Sequence, residues 1–316
     1  MVPIASIVSV VLYSLYGFYS FYDFYNLYIP YQKIMNKIAI GIDVGISTTK
    51  IVGIRDGEVV SPLWIKATDP VTSLYGAFGK FLHDNDIALD DVERVMLTGV
   101  GAAYINSPIY GLTTQKVEEF IADGLGAACE SKLSRMIVVS MGTGTSLVSY
   151  QDGAIRHLGG IGIGGGTLNG LSRLLLQTDD IKQISQMALN GDITHINLSI
   201  GDISAHPLPG LPMDATASLF ANAQGNASRE DIAKGLICMV LQTIGSASIL
   251  SSLNSGIRDF VLIGNLSRLP QCKELYPYLE RIYDVRFIIP KSSEFCTAIG
   301  AALSYVNNKR PLGGDI

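Results

Sequence analysis

Short apolar runs alternate with helix-like stretches from about residue 35 to the end of the chain. The apolar runs predict strands at 38–43, 51–55, 58–65, 92–98, 136–140, 147–150, 260–264 and 286–289. The helical pattern of apolar positions predicts helices at 71–86, 118–133, 167–190, 229–254 and 297–306. Because strands and helices alternate, the sequence predicts a layered α/β fold.

The order of elements near residue 40 occurs again near residue 140. A strand, a glycine turn, a second strand and an Asp-Gly hairpin turn run from 38 to 57, and the same four features run from 137 to 153. This repeat indicates an internal duplication. We therefore expect two similar halves, 35–133 and 134–316, that face each other across a ligand-binding cleft.

Residues 1–34 differ in composition from the rest of the chain. No charged residue occurs before position 23, and tyrosine recurs at every third position from 13 to 31. We favour initiation at Met35, directly before a strand, and expect this leader to lie outside the fold. A membrane anchor remains the alternative, because the apolar run 4–21 is just long enough to cross a bilayer.

The composition of the whole chain limits which kinds of partner it can bind. With 316 residues, 48% hydrophobic and 16% charged, it can form substantial cores. A net charge of -5 provides no broad basic surface for a nucleic acid, so we expect none as a partner. The cysteines are widely spaced and form no CxxC pair, which predicts reduced thiols and a cytoplasmic protein. They are Cys129, Cys238, Cys272 and Cys296.

The first glycine turn, residues 43–50, follows an apolar strand. Its candidate phosphate ligands are Gly45, Ser47, Thr48 and Thr49. Gly45 can adopt positive φ, exposed amides and hydroxyls can bind phosphate oxygens, and Lys50 adds a positive charge. Asp43, at the end of the strand, can hold a magnesium ion through water. The segment does not match a P-loop, and an ordinary hairpin turn is the structural alternative.

Three further glycine turns follow apolar strands. The second turn (142–146) offers Gly142, Thr143, Gly144 and Thr145, the third (159–167) offers Gly164, Gly165 and Gly166, and the fourth (264–267) offers Gly264 and Asn265 as nucleotide contacts. So many glycines in the third turn favour a close approach of backbone to ligand, and the helix that follows favours anionic oxygens at its N-terminus. A flexible surface loop is the alternative for this turn.

The segments DVGISTTK, MGTGTSL, LGGIGIGGGTLNGL and VLIGNLS, in this order and spacing, resemble the motifs of type II (eukaryotic-like) pantothenate kinases. The resemblance covers residues 36–307, and its GGIGxGGG segment is specific to that family. It implies duplicated actin-like ATPase (ribonuclease H-like) domains, with ATP and Mg²⁺ as cofactors. It also implies phosphorylation of pantothenate to 4'-phosphopantothenate in coenzyme A biosynthesis, and a homodimer formed through the helices at 167–190 and 229–254.

The resemblance implies a catalytic glutamate in a segment like VEF. Glu119, immediately before Phe120, is the matching residue. A carboxylate within reach of the acceptor hydroxyl can take up its proton during phosphoryl transfer. Glu118 is the neighbouring competitor. Without the resemblance, two glutamates at a helix start are explained by the helix dipole alone.

The family carries an arginine directly before the third glycine turn, where this chain has His157. The expected substrate contacts are Arg156, His157, Gly159 and Gly160. A histidine can donate to a carboxylate, but it lacks the bidentate fork of arginine. Arg156 cannot replace it without a bulge, because adjacent strand residues point to opposite faces. The acceptor therefore stays open between pantothenate and a related pantoyl compound such as pantetheine.

Two other functions remain open. An activator ATPase of the 2-hydroxyacyl-CoA dehydratase type would need cysteines that ligate an iron-sulfur cluster, and no such arrangement is evident. An amino-sugar or hexose kinase would use an aspartate as the base, but Ile121 follows Phe120 and no sugar motif with aspartate is present. We expect a membrane partner only if the leader is real.

Overall fold

The computed structural model describes residues 37–67, 69–206 and 209–309, without the side chains of residues 308 and 309. The interpretations of residues 1–34 therefore lie outside the described residues. Over the described ranges the chain forms two five-stranded sheets with helices packed on them.

The first sheet has the strand order β3-β2-β1-β4-β5. Its strands are β1 (Ile38–Val44), β2 (Thr48–Arg55), β3 (Glu58–Lys66), β4 (Val92–Thr98) and β5 (Thr114–Lys116). The central strand β1 runs antiparallel to β2 and parallel to β4. All seven residues of β1 are buried, which explains its continuous apolar run.

The second sheet repeats this topology, with the order β12-β11-β6-β7-β8. Its strands are β6 (Arg135–Met141), β7 (Thr145–Gln151), β8 (Ala154–Ile161), β11 (Asp259–Ile263) and β12 (Arg286–Ile288), and a separate ribbon pairs β9 (Leu198–Ser199) with β10 (Thr216–Ser218). β6 is antiparallel to β7 and parallel to β11, as β1 is to β2 and β4. The predicted duplication is confirmed.

The hairpin turns of the two halves share one backbone geometry. Asp56 and Gly57 have φ of 53° and 86°, and Asp152 and Gly153 have φ of 49° and 89°. Two successive residues with positive φ are what a tight two-residue hairpin requires, and Asp-Gly meets that requirement with little strain. The local sequence therefore fixes both hairpins.

The helices cover the sheets and connect the strands. They are α1 (Pro70–Asp84), α2 (Glu119–Ser131), α3 (Gly165–Leu176), α4 (Ile181–Ala188), α5 (Ile200–Ile203), α6 (Arg229–Ser252), α7 (Cys272–Tyr283) and α8 (Cys296–Lys309). The single helix predicted at 167–190 is wrong, because the chain breaks between α3 and α4. Gln177 takes a left-handed conformation, and Asp180 caps α4 by accepting from Lys182 N and Gln183 N.

Helix α6 is the central helix of the second core. It is the one described helix that is long and apolar enough to cross a membrane by length and composition. More than half of its apolar stretch is buried inside the protein, where it packs among β6, α3 and α7. These contacts are those of a core helix.

The closing helix α8 returns to the first half and packs on both the first sheet and α2. A Cβ at Gly126 on α2 would overlap the Cys296 carbonyl, and one at Gly300 on α8 would overlap the Ala122 carbonyl. A Cβ at Gly41 on β1 would overlap the Ala298 carbonyl in the same way. Helix α8 thus packs on elements of the first half although it lies in the second half of the sequence, while the predicted boundaries at 35–133 and 134–316 stay a prediction.

Candidate functional site

A buried ion pair lies where β1 ends. The strand register places Asp43 opposite Lys50 on β2, and Lys50 Nζ lies 3.4 Å from Asp43 Oδ2. Their side chains are only 11% and 8% exposed. Gly99, after β4, leaves room for the carboxylate, because a Cβ there would lie 2.6 Å from Asp43 Oδ1. Sequence reasoning missed Gly99 as part of the site, although a glycine directly after a buried strand is a usable signal.

A backbone hydrogen bond closes the first glycine turn, and a side-chain hydrogen bond links this turn to the fourth. Gly45 N donates to Thr48 O at 3.1 Å. The expectation of positive φ at Gly45 is wrong; a Cβ there would lie 2.7 Å from Thr48 O, so close packing is what favours glycine. Ser47 is exposed, and the buried Thr49 Oγ1 has no hydrogen-bond partner among the described residues. Asn265 Nδ2 donates to Thr48 Oγ1 at 3.3 Å and links the two halves.

The third glycine turn packs directly on the second. Gly165 N donates to Gly142 O and Gly166 N to Thr143 O, each at 2.8 Å. Gly164 N donates to the Thr167 hydroxyl, and the Thr145 hydroxyl donates to Ile163 O. A Cβ at Gly164 would lie 2.6 Å from Thr143 O. A Cβ at Gly144 would lie 3.2 Å from Ile161 O. The three amides of Gly164–Gly166 thus have acceptors within the protein, and their contact with a nucleotide stays a prediction.

The fourth glycine turn lies against the end of β6. Gly264 has φ of 88°, and a Cβ there would lie 2.7 Å from Met141 O. Its amide donates to Ser293 O at 2.9 Å. Because Met141 immediately precedes the second turn and Asn265 touches the first, contacts between neighbouring turns join all four glycine turns into one surface.

Helix α2 brings Glu119 to this surface. Glu118 is the exposed residue that precedes the helix, and Glu119 is its first residue. Glu119 is exposed, but desolvation of its carboxyl by the surrounding protein, together with the charges of Asp123 and Asp43, raises its pKa to about 7. Lys50 acts in the opposite direction. The three predicted catalytic residues, Glu119, Asp43 and Lys50, are therefore close enough to interact electrostatically.

Asp123 is a member of the site that sequence reasoning missed. It lies one turn after Glu119 on α2 and is 1% exposed. Burial raises its pKa to about 6, against the effect of the Thr297 and Ser140 hydroxyls, and Thr297 Oγ1 donates to its Oδ1 at 2.7 Å. The available signal was an acidic residue in an Ala- and Gly-rich helix, four positions after the predicted base.

The structure places the two candidate substrate residues of β8 on opposite faces of the strand. His157 pairs with Val148 and Arg156 with Ser149, while Leu158 is bulged out of the register. The bulge follows both residues, so they keep opposite faces and Arg156 does not take the place of His157. The His157 ring stacks on Phe120, with 5.7 Å between ring centroids and 20° between planes, next to Glu119.

The glycines after His157 differ in their surroundings. Gly159 has φ of 136°, which is open only to glycine at low cost, and nothing lies near its Cβ position. A Cβ at Gly160 would lie 2.9 Å from Thr145 O, so Gly160 packs against the second glycine turn. Their contact with a substrate stays a prediction.

Asp43 is the carboxylate of the site that was predicted to hold a divalent cation. In the described part of the chain no group of three His, Cys, Asp or Glu side chains is arranged to hold a metal ion. Mg²⁺ commonly binds through one or two carboxylates, water and substrate phosphates. Asp43, at the end of β1 beside the first glycine turn, fits that mode.

We expect the Lys50→Met substitution to lower the free energy of unfolding by about 3 kcal/mol, because it leaves the buried Asp43 carboxylate without its partner. Urea unfolding measures this loss. The matched control is Lys80→Met, which breaks the exposed Lys80–Asp84 pair of α1 and should cost less than about 0.5 kcal/mol. Equal losses in the two variants would contradict the importance of burial for this pair.

The sequence profile of the Fumble family matches residues 127–275. The chain is similar to the type II pantothenate kinase of Staphylococcus aureus (strain USA300), with 31% identity over 212 residues that cover 65% of this chain and 74% of the relative.

Among solved structures, the activator of the 2-hydroxyisocaproyl-CoA dehydratase from Clostridium difficile, with bound ADPNP, superposes with a TM-score of 0.63. It is 17% identical and covers 88% of this chain and 100% of its own. A ROK hexokinase from Thermus thermophilus superposes with a TM-score of 0.52 at 11% identity, covering 86% of this chain and 100% of its own. At these identities the structural likeness shows the fold alone, and it confirms the predicted class of a duplicated, actin-like α/β fold.

Proposed function

The chain belongs to the type II pantothenate kinase family, and we propose that it transfers the γ-phosphoryl group of ATP to the 4'-hydroxyl of pantothenate. The product, 4'-phosphopantothenate, is the first intermediate of coenzyme A biosynthesis. Membership in this family makes the chain a phosphotransferase that uses ATP. The observation that carries the reaction type is the Glu119 carboxyl, with its pKa raised to about 7, beside the Asp43–Lys50 pair.

Each part of the site would have a separate task. The glycine turns would hold the nucleotide through their hydroxyls and through those backbone amides that do not already donate within the protein, and Lys50 would balance phosphate charge. Asp43 would hold Mg²⁺, which supplies charge neutralisation on the phosphate oxygens when bound. Glu119 would accept the proton that the acceptor hydroxyl loses as the new phosphorus-oxygen bond forms and the bond to ADP breaks.

The acceptor can be tested by measuring ATP consumption with pantothenate, pantetheine, N-acetylglucosamine and no acceptor. We expect turnover with a pantoyl compound and none above background with the sugar. Turnover with the sugar alone would overturn the proposed function. Turnover that needs no acceptor would instead favour an ATPase.

We expect the His157→Arg substitution to lower the KM for pantothenate by about tenfold with a smaller change in kcat, because arginine can bind a carboxylate through two hydrogen bonds. His157 stacks on Phe120, the residue that follows the proposed base in sequence. Pantetheine has no carboxylate and serves as the internal control, for which KM should change less than twofold. Equal changes for both acceptors would remove His157 from carboxylate recognition.

The activator alternative rests on fold alone, because the activators superpose at 17% and 18% identity. It would require cysteine ligands for an iron-sulfur cluster, and in the described residues the four cysteines are free and form no group with metal-ligand geometry. An absorbance spectrum and iron analysis of anaerobically purified protein distinguish the two functions. A brown protein with bound iron would favour the activator.

We further propose a homodimer in the cytoplasm. Leu174 and Leu175 at the end of α3 are 77% and 52% exposed, and Leu250 and Leu253 at the end of α6 are also exposed. These apolar side chains support the dimer contact that the family resemblance implies for the second half. Sedimentation equilibrium tests the dimer, and cell fractionation tests the location.

A further inference from the structure

Asp123 is the most deeply buried acidic side chain of the described residues. It is 1% exposed, in a helix whose other buried residues are alanine and glycine. Burial of a carboxyl is costly unless its oxygens are hydrogen-bonded, and Oδ2 of Asp123 has no partner among the described residues. A neutral residue of similar size would pack here at lower cost. Packing alone therefore does not explain why an aspartate occupies position 123.

The location of Asp123 relative to Glu119 suggests that explanation. Residues four apart on a helix lie on the same face, so the two carboxyls of α2 are neighbours. Of the charged groups that act on Glu119, Asp123 has the largest effect on its pKa, ahead of Asp43 and Lys50. A negative charge one turn behind the base makes its carboxylate a stronger proton acceptor.

Asp123 also ties α2 to two other elements of the site. Thr297 on α8 donates to its Oδ1 at 2.7 Å. The Ser140 hydroxyl, on β6 just before the second glycine turn, lies close enough to lower its pKa. The orientation of the helix that carries the base is thus coupled to the closing helix and to the strand that leads into the second turn.

We propose that Asp123 is a positioning residue for Glu119, holding the start of α2 against α8 and β6 and keeping a negative charge behind the base. This proposal rests on the proposed function, in which Glu119 accepts the proton of the acceptor. The other ionisable groups around the two carboxyls are Asp43 on β1, Lys50 on β2, His157 beside Phe120 on β8 and Cys296 on α8. None of these groups lies on α2, one turn after the base.

The decisive variant is Asp123→Asn, whose amide fills the same space and can still accept from Thr297. With saturating MgATP and pantothenate, the acidic limb of the kcat profile should move to lower pH by about 0.5 to 1 unit, because the like charge that raises the pKa of Glu119 is removed. The kcat at high pH should fall, while KM for ATP changes less than twofold. A profile that keeps its midpoint while the thermal midpoint drops would overturn the proposal.

Two further variants keep the test decisive. Asp231→Asn alters another buried aspartate, 6% exposed, which accepts from Ser228 N at the start of α6 and from Asp192 N of a neighbouring segment. It should lower the thermal midpoint without moving the pH profile. Thr297→Val removes the hydroxyl that favours the charged Asp123, so it should shift the profile in the same direction by a smaller amount. This variant decides the outcome if Asp123→Asn does not fold, and an unshifted profile would then overturn the proposal.

A measurement independent of turnover separates the two proposals. The carboxyl carbon of Glu119 can be titrated by NMR in ¹³C-glutamate-labelled wild type and Asp123→Asn. A lower midpoint in the variant supports the positioning role even if pantothenate is not the acceptor. An unchanged midpoint in a protein that phosphorylates pantothenate would overturn the role of Asp123 and leave the proposed function intact.

Discussion

Replacing Glu119 with glutamine should lower kcat by about 10³-fold, because the amide cannot accept the proton of the attacking hydroxyl. Initial rates with saturating MgATP and acceptor measure the effect. ATP affinity should stay within about threefold, since the glycine turns lie on other elements. Glu118→Gln is the matched control. Its side chain is exposed in front of α2, so it should retain activity within about twofold.

The pH dependence of the wild type follows from the same carboxyl. The pKa of Glu119 is raised to about 7, and only the deprotonated form can act as a base. We therefore expect kcat to fall as the pH drops through about 7, and Glu119→Gln to lose this dependence. Unchanged turnover in Glu119→Gln would remove Glu119 from its role as base.

Gly300→Ala should lower the free energy of unfolding by about 3 kcal/mol, against the usual preference of a helix for alanine. The added methyl group would overlap the Ala122 carbonyl, which is backbone within α2 and cannot rotate away. Helices α2 and α8 would have to separate, and α2 carries Glu119 and Asp123. We therefore expect kcat to fall together with stability, as measured by urea unfolding and initial rates.

The matched control is the same substitution on another helix. Gly79, inside α1, has nothing near its Cβ position, so Gly79→Ala should be neutral or stabilise the protein by up to about 1 kcal/mol. Similar losses in the two variants would show that the α2–α8 contact tolerates a wider spacing than the structure has.

Local sequence patterns were sufficient to predict most of the helices and strands. The central strands of the two sheets, β1 and β6, and their neighbour β11 are short and buried, so they appear as continuous apolar runs. Strands β5 and β8 contain no buried residue and were not predicted. The Asp-Gly hairpins follow from one dipeptide. Helix α7 escaped prediction because Pro277 lies inside it and breaks the usual pattern. The break between α3 and α4 was also missed. It depends on the left-handed Gln177 and the Asp180 cap, within a stretch whose apolar pattern continues.

The sequence by itself determined the α/β class, the duplicated order of strands and glycine turns, and, through its family resemblance, the matching of Glu119, Asp43 and Lys50. These features depend on neighbouring residues or on recognisable segments, so they can be read along the chain. Only the tertiary structure decided that α8 packs on β1 and α2. It also decided that amides of the third glycine turn donate to the second turn. The hydrogen bond of Asp123, one turn after Glu119, with Thr297 likewise depends on the tertiary structure. Asp123 and Thr297 are separated by 174 positions along the chain. Their contact depends on how two helices pack, and no local pattern of residues encodes that.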